Sequence, residues 1–207
     1  MPAVVVMAMT AGCTSNSDGG DEAKGKPAGE VCGAFAADAP ASAALKAIAG
    51  DGNFTSDLSE PDKVLDTLRA ASRTEQSGKQ RMQGISFCSL RPAKGGEKGL
   101  RIEFREALAL PSRDAEDEAV ATFFSTGELA SSSDAFAPVY FKCRMKAPAH
   151  EIIIAAELER TGGDETSQKK IRANQITVAN AAARKVAAVL GCQNDTKLVS
   201  GVPKPAA

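Results

Sequence analysis

Five cysteines in a chain of 207 residues constrain this sequence more than any other feature. An odd number leaves one thiol over. Cys13 is set apart because it ends an apolar run, whereas Cys32, Cys88, Cys143 and Cys192 are spread through sequence of ordinary globular composition. None of those four stands in a CxxC or CxxH spacing, so zinc is not expected. In a chain that leaves the cytosol, four thiols form two disulfides. Three pairings satisfy the count. The favoured one, Cys32–Cys88 with Cys143–Cys192, ties near segments without crossing. Each bridge would close a loop of about 50 to 60 residues, worth roughly 4 kcal/mol on the chain-entropy view. With eight Phe, one Tyr and no Trp, the core falls mainly to Ala, Val, Ile and Leu. Cross-links then carry a large share of the stability.

Export is read from the start of the chain. Ala3 to Cys13, AVVVMAMTAGC, is apolar for about ten residues, which suits a signal-peptide core and is too short for a membrane-spanning helix of about 20. Ala11 and Gly12 are small, as a peptidase binding an extended chain requires. Thr10-Ala11-Gly12-Cys13 resembles the bacterial lipobox, with Cys13 as the lipidation site. Thr10 stands where leucine is usual, and no Lys or Arg precedes the run, which predicts a true start a few residues upstream. One acyl chain holds a membrane marginally, at about 0.8 kcal/mol per buried CH₂, whereas the two chains of a diacylglyceryl group on the Cys13 sulfur make a stable anchor. The bland alternative is an ordinary secretion leader with an idle cysteine.

The pattern divides the chain into a lipoprotein signal at 1–13, a flexible polar linker at 14–30, a single α+β domain at 31–200 and a C-terminal tail at 201–207. The linker is rich in Gly, Ser and charge and buries too little to order itself. Helices are expected from Asp38 to Ala49, capped by Asp38 or Ala39, and from Glu60 to Arg73, capped by Ser59. Pro40 and Pro61 fit their first turns, and Gly50 ends the first helix. Val64, Leu65 and Leu68 face the core from the second. Gly84–Arg91 reads as a strand. Leu100–Leu108 alternates, with Leu100, Ile102 and Phe104 inward and Arg101, Glu103 and Arg105 outward, so the two runs should form an antiparallel hairpin. Pro111–Ala137 reads either as a short helix or as a loop with one strand, broken at Gly127 and the Ser131–Ser133 run. Val139–Lys146 and Glu151–Glu159 alternate again, placing Cys143 inward and Tyr140, Lys142, Arg144 and Lys146 outward. Gln168–Leu190 is the longest helix, with Ile171, Gln175, Val178, Ala182, Val186 and Val189 on one face and Gly191 as its stop. The expected fold is α+β: an antiparallel sheet of four to five strands, helices packed on one face and two disulfides.

CGAFAADAPASAALKAIAG from Cys32, FCSLRP from Phe87, and YFKC with ANAAARKVAAVLGC between Tyr140 and Cys192 together resemble actinobacterial envelope lipoproteins of unknown function. The resemblance covers most of the domain and rests chiefly on the cysteine layout. It implies export, the same disulfide pairing and lipid on Cys13. It brings no catalytic residue.

The search for chemistry is mostly negative. His150 is the sole histidine, set at a strand start beside a turn, where it is usually incidental. No nucleophile elbow is present, and GDGN at Gly50 and KGGEKG at Lys94 read as turns. Glu103 and Glu106 fall on opposite strand faces. Asp114–Glu118 lacks the alternating acidic pattern of a calcium loop and reads as a solvated acidic stretch. The net charge of −1 and the scarcity of aromatics argue against nucleic acid. The rows Arg101/Glu103/Arg105 and Lys142/Arg144/Lys146 are the wet faces of strands; if those strands are neighbours, they form a basic patch for anionic lipid or cell-wall polymer. The reading is a lipid-anchored protein at the extracytoplasmic face of the cell membrane. It is expected to bind an envelope protein or ligand, without enzymatic activity or cofactor. An envelope hydrolase built on acidic residues and a purely structural component are the alternatives.

Overall fold

The computed structural model describes residues 25–56, 58–74, 83–113, 119–162 and 168–206. Cys13, the expected signal at 1–13, most of the expected linker at 14–30 and Asp114–Glu118 lie outside the described residues. The elements are β1 (Lys26–Pro27), α1 (Ala39–Ala49), β2 (Asn53–Thr55), α2 (Pro61–Ala71), β3 (Ile85–Pro92), β4 (Gly99–Ala107), β5 (Thr122–Phe123), β6 (Leu129–Ser132), β7 (Phe136–Arg144), β8 (Glu151–Thr161) and α3 (Gln168–Leu190). One sheet runs in the order β1-β2-β3-β4-β8-β7-β6-β5, every pair antiparallel. It has eight strands, not four to five. The long ladders β3–β4–β8–β7 come from the segments that alternate. The additional strands are two to four residues long, too short to show a period.

The helices start and stop where local chemistry directs. Asp38 caps α1 by accepting the Ala41 N–H at 2.8 Å, and Gly50, at φ 96°, donates to the Lys46 carbonyl at 2.8 Å. α2 carries no side-chain cap. Ser59 bonds elsewhere. Its Oγ accepts the Ser89 N–H at 3.0 Å and donates to Cys32 Sγ at 3.3 Å, the sulfur having no hydrogen to give. At the end of α3, Gly191 (φ 69°) donates to the Ala188 carbonyl at 3.2 Å and Cys192 to that of Ala187 at 3.1 Å. This is the Schellman pattern, and it turns Cys192 back toward the sheet. Val189 is 43% exposed, with Ala187 and Leu190 buried in its place. The stripe drifts because seven residues do not complete two turns at 3.6 per turn.

The core lies between the sheet and the helices. Val139, Phe141 and Cys143 of β7 and Ile152, Ile154, Ala156 and Leu158 of β8 are buried beneath α3, while α2 covers β3 and β4. A bulge between Ser86 and Cys88 buries both Phe87 and Cys88, as an extra residue on one strand does. Phe87 then meets Phe35 and Phe104 edge-on, at 6.1 and 5.2 Å between centroids.

Both expected disulfides are present, Cys32–Cys88 with Cα atoms 5.5 Å apart and Cys143–Cys192 at 4.9 Å. Cys32 (φ 46°), Gly33 (φ 72°) and Ala34 (φ 59°) make a left-handed turn at the first. At the second, the Gln193 N–H donates to the Arg144 carbonyl at 2.8 Å, and Asn194 bonds the Arg144 N–H (2.7 Å) and the Lys142 carbonyl (3.0 Å). The chain beyond α3 is thus pinned to the end of β7 by one backbone bond and two from the Asn194 side chain.

The folded domain is wider than expected at both ends. Lys26–Glu30, assigned to the linker, forms β1 and a 3-10 turn with Ala28 buried. The C-terminal segment closes the opposite edge: the Ser125 N–H donates to the Lys204 carbonyl at 2.8 Å and the Ala206 N–H to that of Phe123 at 2.9 Å. Pro27 sits at one sheet edge and Pro205 at the other. Proline has no N–H to offer, which blunts an edge against further pairing.

Candidate functional site

The sheet face away from the helices is the candidate site, and register fixes its layout. Across β4, β8 and β7 it reads Arg101–Glu159–Phe136, then Glu103–Glu157–Pro138, then Arg105–Ala155–Tyr140, then Ala107–Ile153–Lys142. One half is an ion-pair ladder. Arg101 donates to Glu159 at 2.8 Å and lies 3.3 Å from Glu103, and Arg105 donates to Glu157 at 2.6 Å. These bonds raise the pKa of both guanidiniums, for Arg101 chiefly through Glu159 and for Arg105 chiefly through Glu157.

This ladder removes the basic patch. β8 lies between β4 and β7, so the two expected rows are not neighbours, and β8 supplies Glu151, Glu157 and Glu159. Arg144 is itself paired with Glu151 at 3.0 Å. Glu103 and Glu106 do fall on opposite faces, with Glu106 on the covered side at 9% exposed. The closer carboxylate to Glu103 is Glu157, its cross-strand partner. Like charges so placed repel, and the flanking guanidiniums offset that. His150 is exposed at the start of β8, its backbone N–H donating to the Ser72 carbonyl at 2.8 Å. Among the described residues, no group of three His, Cys, Asp or Glu side chains could hold a metal ion, and no helix is long and apolar enough to cross a membrane.

The other half of the face is apolar, and here the outward row of β7 holds at Arg144 and Lys146, which are exposed, but not at Tyr140. Tyr140, assigned to solvent, is buried among Ala107, Ala155, Leu129 and Ile153. Arg105 and Tyr140 flank the small Ala155 in register, and after Glu157 the nearby phenol helps to raise the Arg105 pKa. β6 is seated by Gly127 (φ 62°), where an added Cβ would collide with the Tyr140 carbonyl. The adjacent Glu128 N–H donates to that same carbonyl at 2.7 Å. Pro138 is tolerated within β7 because its ladder to β6 holds at Val139 and Tyr140.

Pro111, Ser112, Val120 and Ala121 border this half and leave a cavity of about 300 Å³. Phe123, Phe136 and Tyr140 line it with Pro138 and Leu129. Phe35, Phe54, Phe87, Phe104, Phe124 and Phe141 belong to the helix–sheet core. The three remaining rings of the chain therefore share one cleft. Arg113 lies over the outer side of Phe123, 4.2 Å from its centroid. Beyond that ring is a second cavity of about 380 Å³, bordered by Arg113, Glu128 and Lys197. Lys197 donates to Glu128 at 2.9 Å, which raises its pKa.

The sequence signal for the cleft was the phase of β7. Phe136 and Pro138 share parity with Tyr140 once the strand is started at 136 rather than 139. Comparison with known protein families, curated proteins and solved structures finds no significant match.

Proposed function

We propose that this protein is a lipid-anchored, extracytoplasmic binding module of the cell envelope, of the kind its resemblance to actinobacterial envelope lipoproteins implies, with the ring-lined cleft as its contact site. The observation that carries it is the gathering of Phe123, Phe136 and Tyr140 around one cleft, on the sheet face opposite α1, α2 and α3. Phe136 stays 41% exposed there, in a domain poor in aromatics that gains by burying each ring. Two disulfides support an oxidising compartment. The described domain begins at the β1 edge, and the cleft lies around β5–β7. At about 4.8 Å per strand, five spacings separate β1 from β7 by roughly 24 Å, which leaves the cleft clear of the tether.

The rival reading, an envelope hydrolase, needs two carboxylates free to exchange protons in a cleft. Glu103 and Glu157 are adjacent, but each is held by an arginine, and the cleft lies on the other half of the face. The pair serves the ladder.

Palmitate labelling and detergent-phase partition of wild type against Cys13→Ala test the anchor. Label and detergent partition should both be lost in the mutant, and unchanged partition refutes the anchor. A benzophenone amino acid at Ser131, inside the cleft, should give adducts in cells that the same probe at the exposed Lys94 does not. Equal yields at the two positions would refute the contact site.

A further inference from the structure

We infer that the pocket on the open face of β3, β4 and β8 binds a polyhydroxylated ligand, such as a sugar ring. It is a second site, apart from the ring-lined cleft, and it stands or falls without that cleft.

Strand register assembles this pocket. Ser89 of β3 faces Arg101 of β4, which faces Glu159 of β8, and in the next row Gly99 faces Thr161. With Arg91 these residues line a cavity of about 410 Å³. At roughly 30 Å³ per water-sized group it holds about fourteen such groups, room for one sugar ring. Gly99 keeps the floor open, since an added Cβ would lie 3.0 Å from Thr161 Oγ1 and 3.2 Å from the Leu90 carbonyl oxygen. The floor offers matched donors and acceptors. Arg101 donates from Nη2 to Glu159 Oε2 at 2.8 Å, and its Nε lies 3.3 Å from Glu103 Oε1. A guanidinium also carries hydrogens on Nη1, and a carboxylate accepts at both oxygens. The ion pair thus fixes both side chains and still presents a donor, Arg101 Nη1, beside an acceptor, Glu159 Oε1. Neighbouring hydroxyls of a sugar fit such a pair, because each hydroxyl both donates and accepts. A phosphate only accepts and would meet Glu159 as a like charge. The hydroxyls of Ser89 and Thr161 and the guanidinium of Arg91 extend the same array. Ser86 Oγ, in the row of Glu103, is hidden from solvent and has no hydrogen-bond partner among the described residues. Such an atom costs free energy, and rotation about χ1 would let a ligand hydroxyl meet it. Leu58 borders the cavity and is 68% exposed, apolar surface that the C–H face of a sugar ring would cover.

The test uses the full-length chain carrying Cys13→Ala, labelled with nitrogen-15. It is titrated with the methyl α-pyranosides of glucose, mannose and galactose. At least one should move the amide signals of Ser89, Arg101 and Thr161 and saturate at millimolar concentration, while the Tyr140 signal stays still. Cyclohexanol, a ring with a single hydroxyl, and inorganic phosphate should each need at least tenfold more. Thr161→Val, which keeps the side-chain volume and removes the hydroxyl, should weaken sugar binding about fivefold. Gly99→Ala, which fills the floor, should weaken it at least tenfold. Lys63→Ala, on a helix across the sheet, should leave it unchanged. Maltotetraose and mannotetraose separate a free sugar from a glycan chain: half-saturation at the monosaccharide's concentration supports the first, and at a tenfold lower one the second. No movement with any of the three pyranosides overturns the site. Phosphate or cyclohexanol acting at a lower concentration than every sugar overturns the ligand class. Should Gly99→Ala lose its circular dichroism, Thr161→Val decides, and unchanged sugar affinity in that variant refutes the assignment.

Discussion

Replacing Asn180 by Ala tests whether the C-terminal segment belongs to the fold. Asn180 is fully buried on α3. Its Oδ1 accepts the Thr126 hydroxyl at 2.6 Å, its Nδ2 donates to the Val199 carbonyl at 2.8 Å, and the Val199 N–H donates to Thr126 Oγ1 at 3.2 Å. Three residues distant in sequence close a ring of three hydrogen bonds. Asn180→Ala breaks two of them and strands the buried Thr126 hydroxyl and the Val199 carbonyl. Each stranded group costs about 1–3 kcal/mol. The hydroxyl can rotate toward another acceptor, which lowers its share, while the void left behind adds some cost. We expect a loss of about 3 kcal/mol, read from urea unfolding followed by far-ultraviolet circular dichroism. Thr126→Val should cost less, and the double variant should fall short of the sum, because both substitutions break the same ring. A loss below about 1 kcal/mol for Asn180→Ala, or strict additivity in the cycle, refutes the ring and with it the seating of residues 197–206.

Removing the second bridge with Cys143→Ala/Cys192→Ala should cost about 4 kcal/mol for its separation of 49 residues on the chain-entropy view; a fall in urea midpoint worth less than about 1 kcal/mol would show that Gln193 and Asn194 hold the α3 terminus unaided. Gly127→Ala should destabilise by about 1–3 kcal/mol, because the left-handed backbone is strained by a Cβ and that Cβ meets the Tyr140 carbonyl. An unchanged melting temperature would mean that β6 does not approach β7 there. Ala34→Gly should stabilise by about 0.5–1 kcal/mol, the left-handed cost of an exposed alanine at φ 59° outweighing the added freedom of the unfolded chain. A lower melting temperature than wild type would contradict the left-handed turn.

Where the sequence was legible, a local signal and a tertiary demand agreed. Asp38, Pro40 and Gly50 delimit α1 without reference to the rest of the fold, and Gly191 ends α3 in the same way. β4, β7 and β8 each alternate long enough for period two to show. The cysteines then paired as proximity favoured, because the hairpins and α3 bring near segments together. Legibility failed where tertiary partners decide. Ser59 has every local qualification for an N-cap, yet it serves Ser89 and Cys32. β1, β2 and β5 exist because a neighbouring strand pairs with them, and no two- or three-residue stretch carries a pattern. Ser131–Ser133 looked like a break, but Ser132 is buried at the end of β6 and donates to Gln175 of α3 at 3.2 Å. The candidate site was invisible for a related reason. Alternation tells which residues share a face, not what lies over that face.

The two halves of the open face show why parity alone misassigned it. Arg101 and Arg105 stay on the open face because β8 meets them with Glu159 and Glu157, so that half is an ion-paired ladder of two guanidiniums and, with Glu103, three carboxylates. Tyr140 has the same parity on β7, but it meets Ala107, Ala155 and Leu129, and Pro111 and Val120 border the cleft beside it. Burying a large apolar side chain contributes about 1.5–3 kcal/mol; of the three rings outside the helix–sheet core, Phe123 and Tyr140 obtain that burial at the cleft, whereas Phe136, at 41% exposed, forgoes it. The two disulfides offset that loss, each at about 4 kcal/mol on the chain-entropy view. Cross-links can compensate for a ring left exposed; they give no reason for it to sit beside two others in one cleft. A contact made by that cleft does.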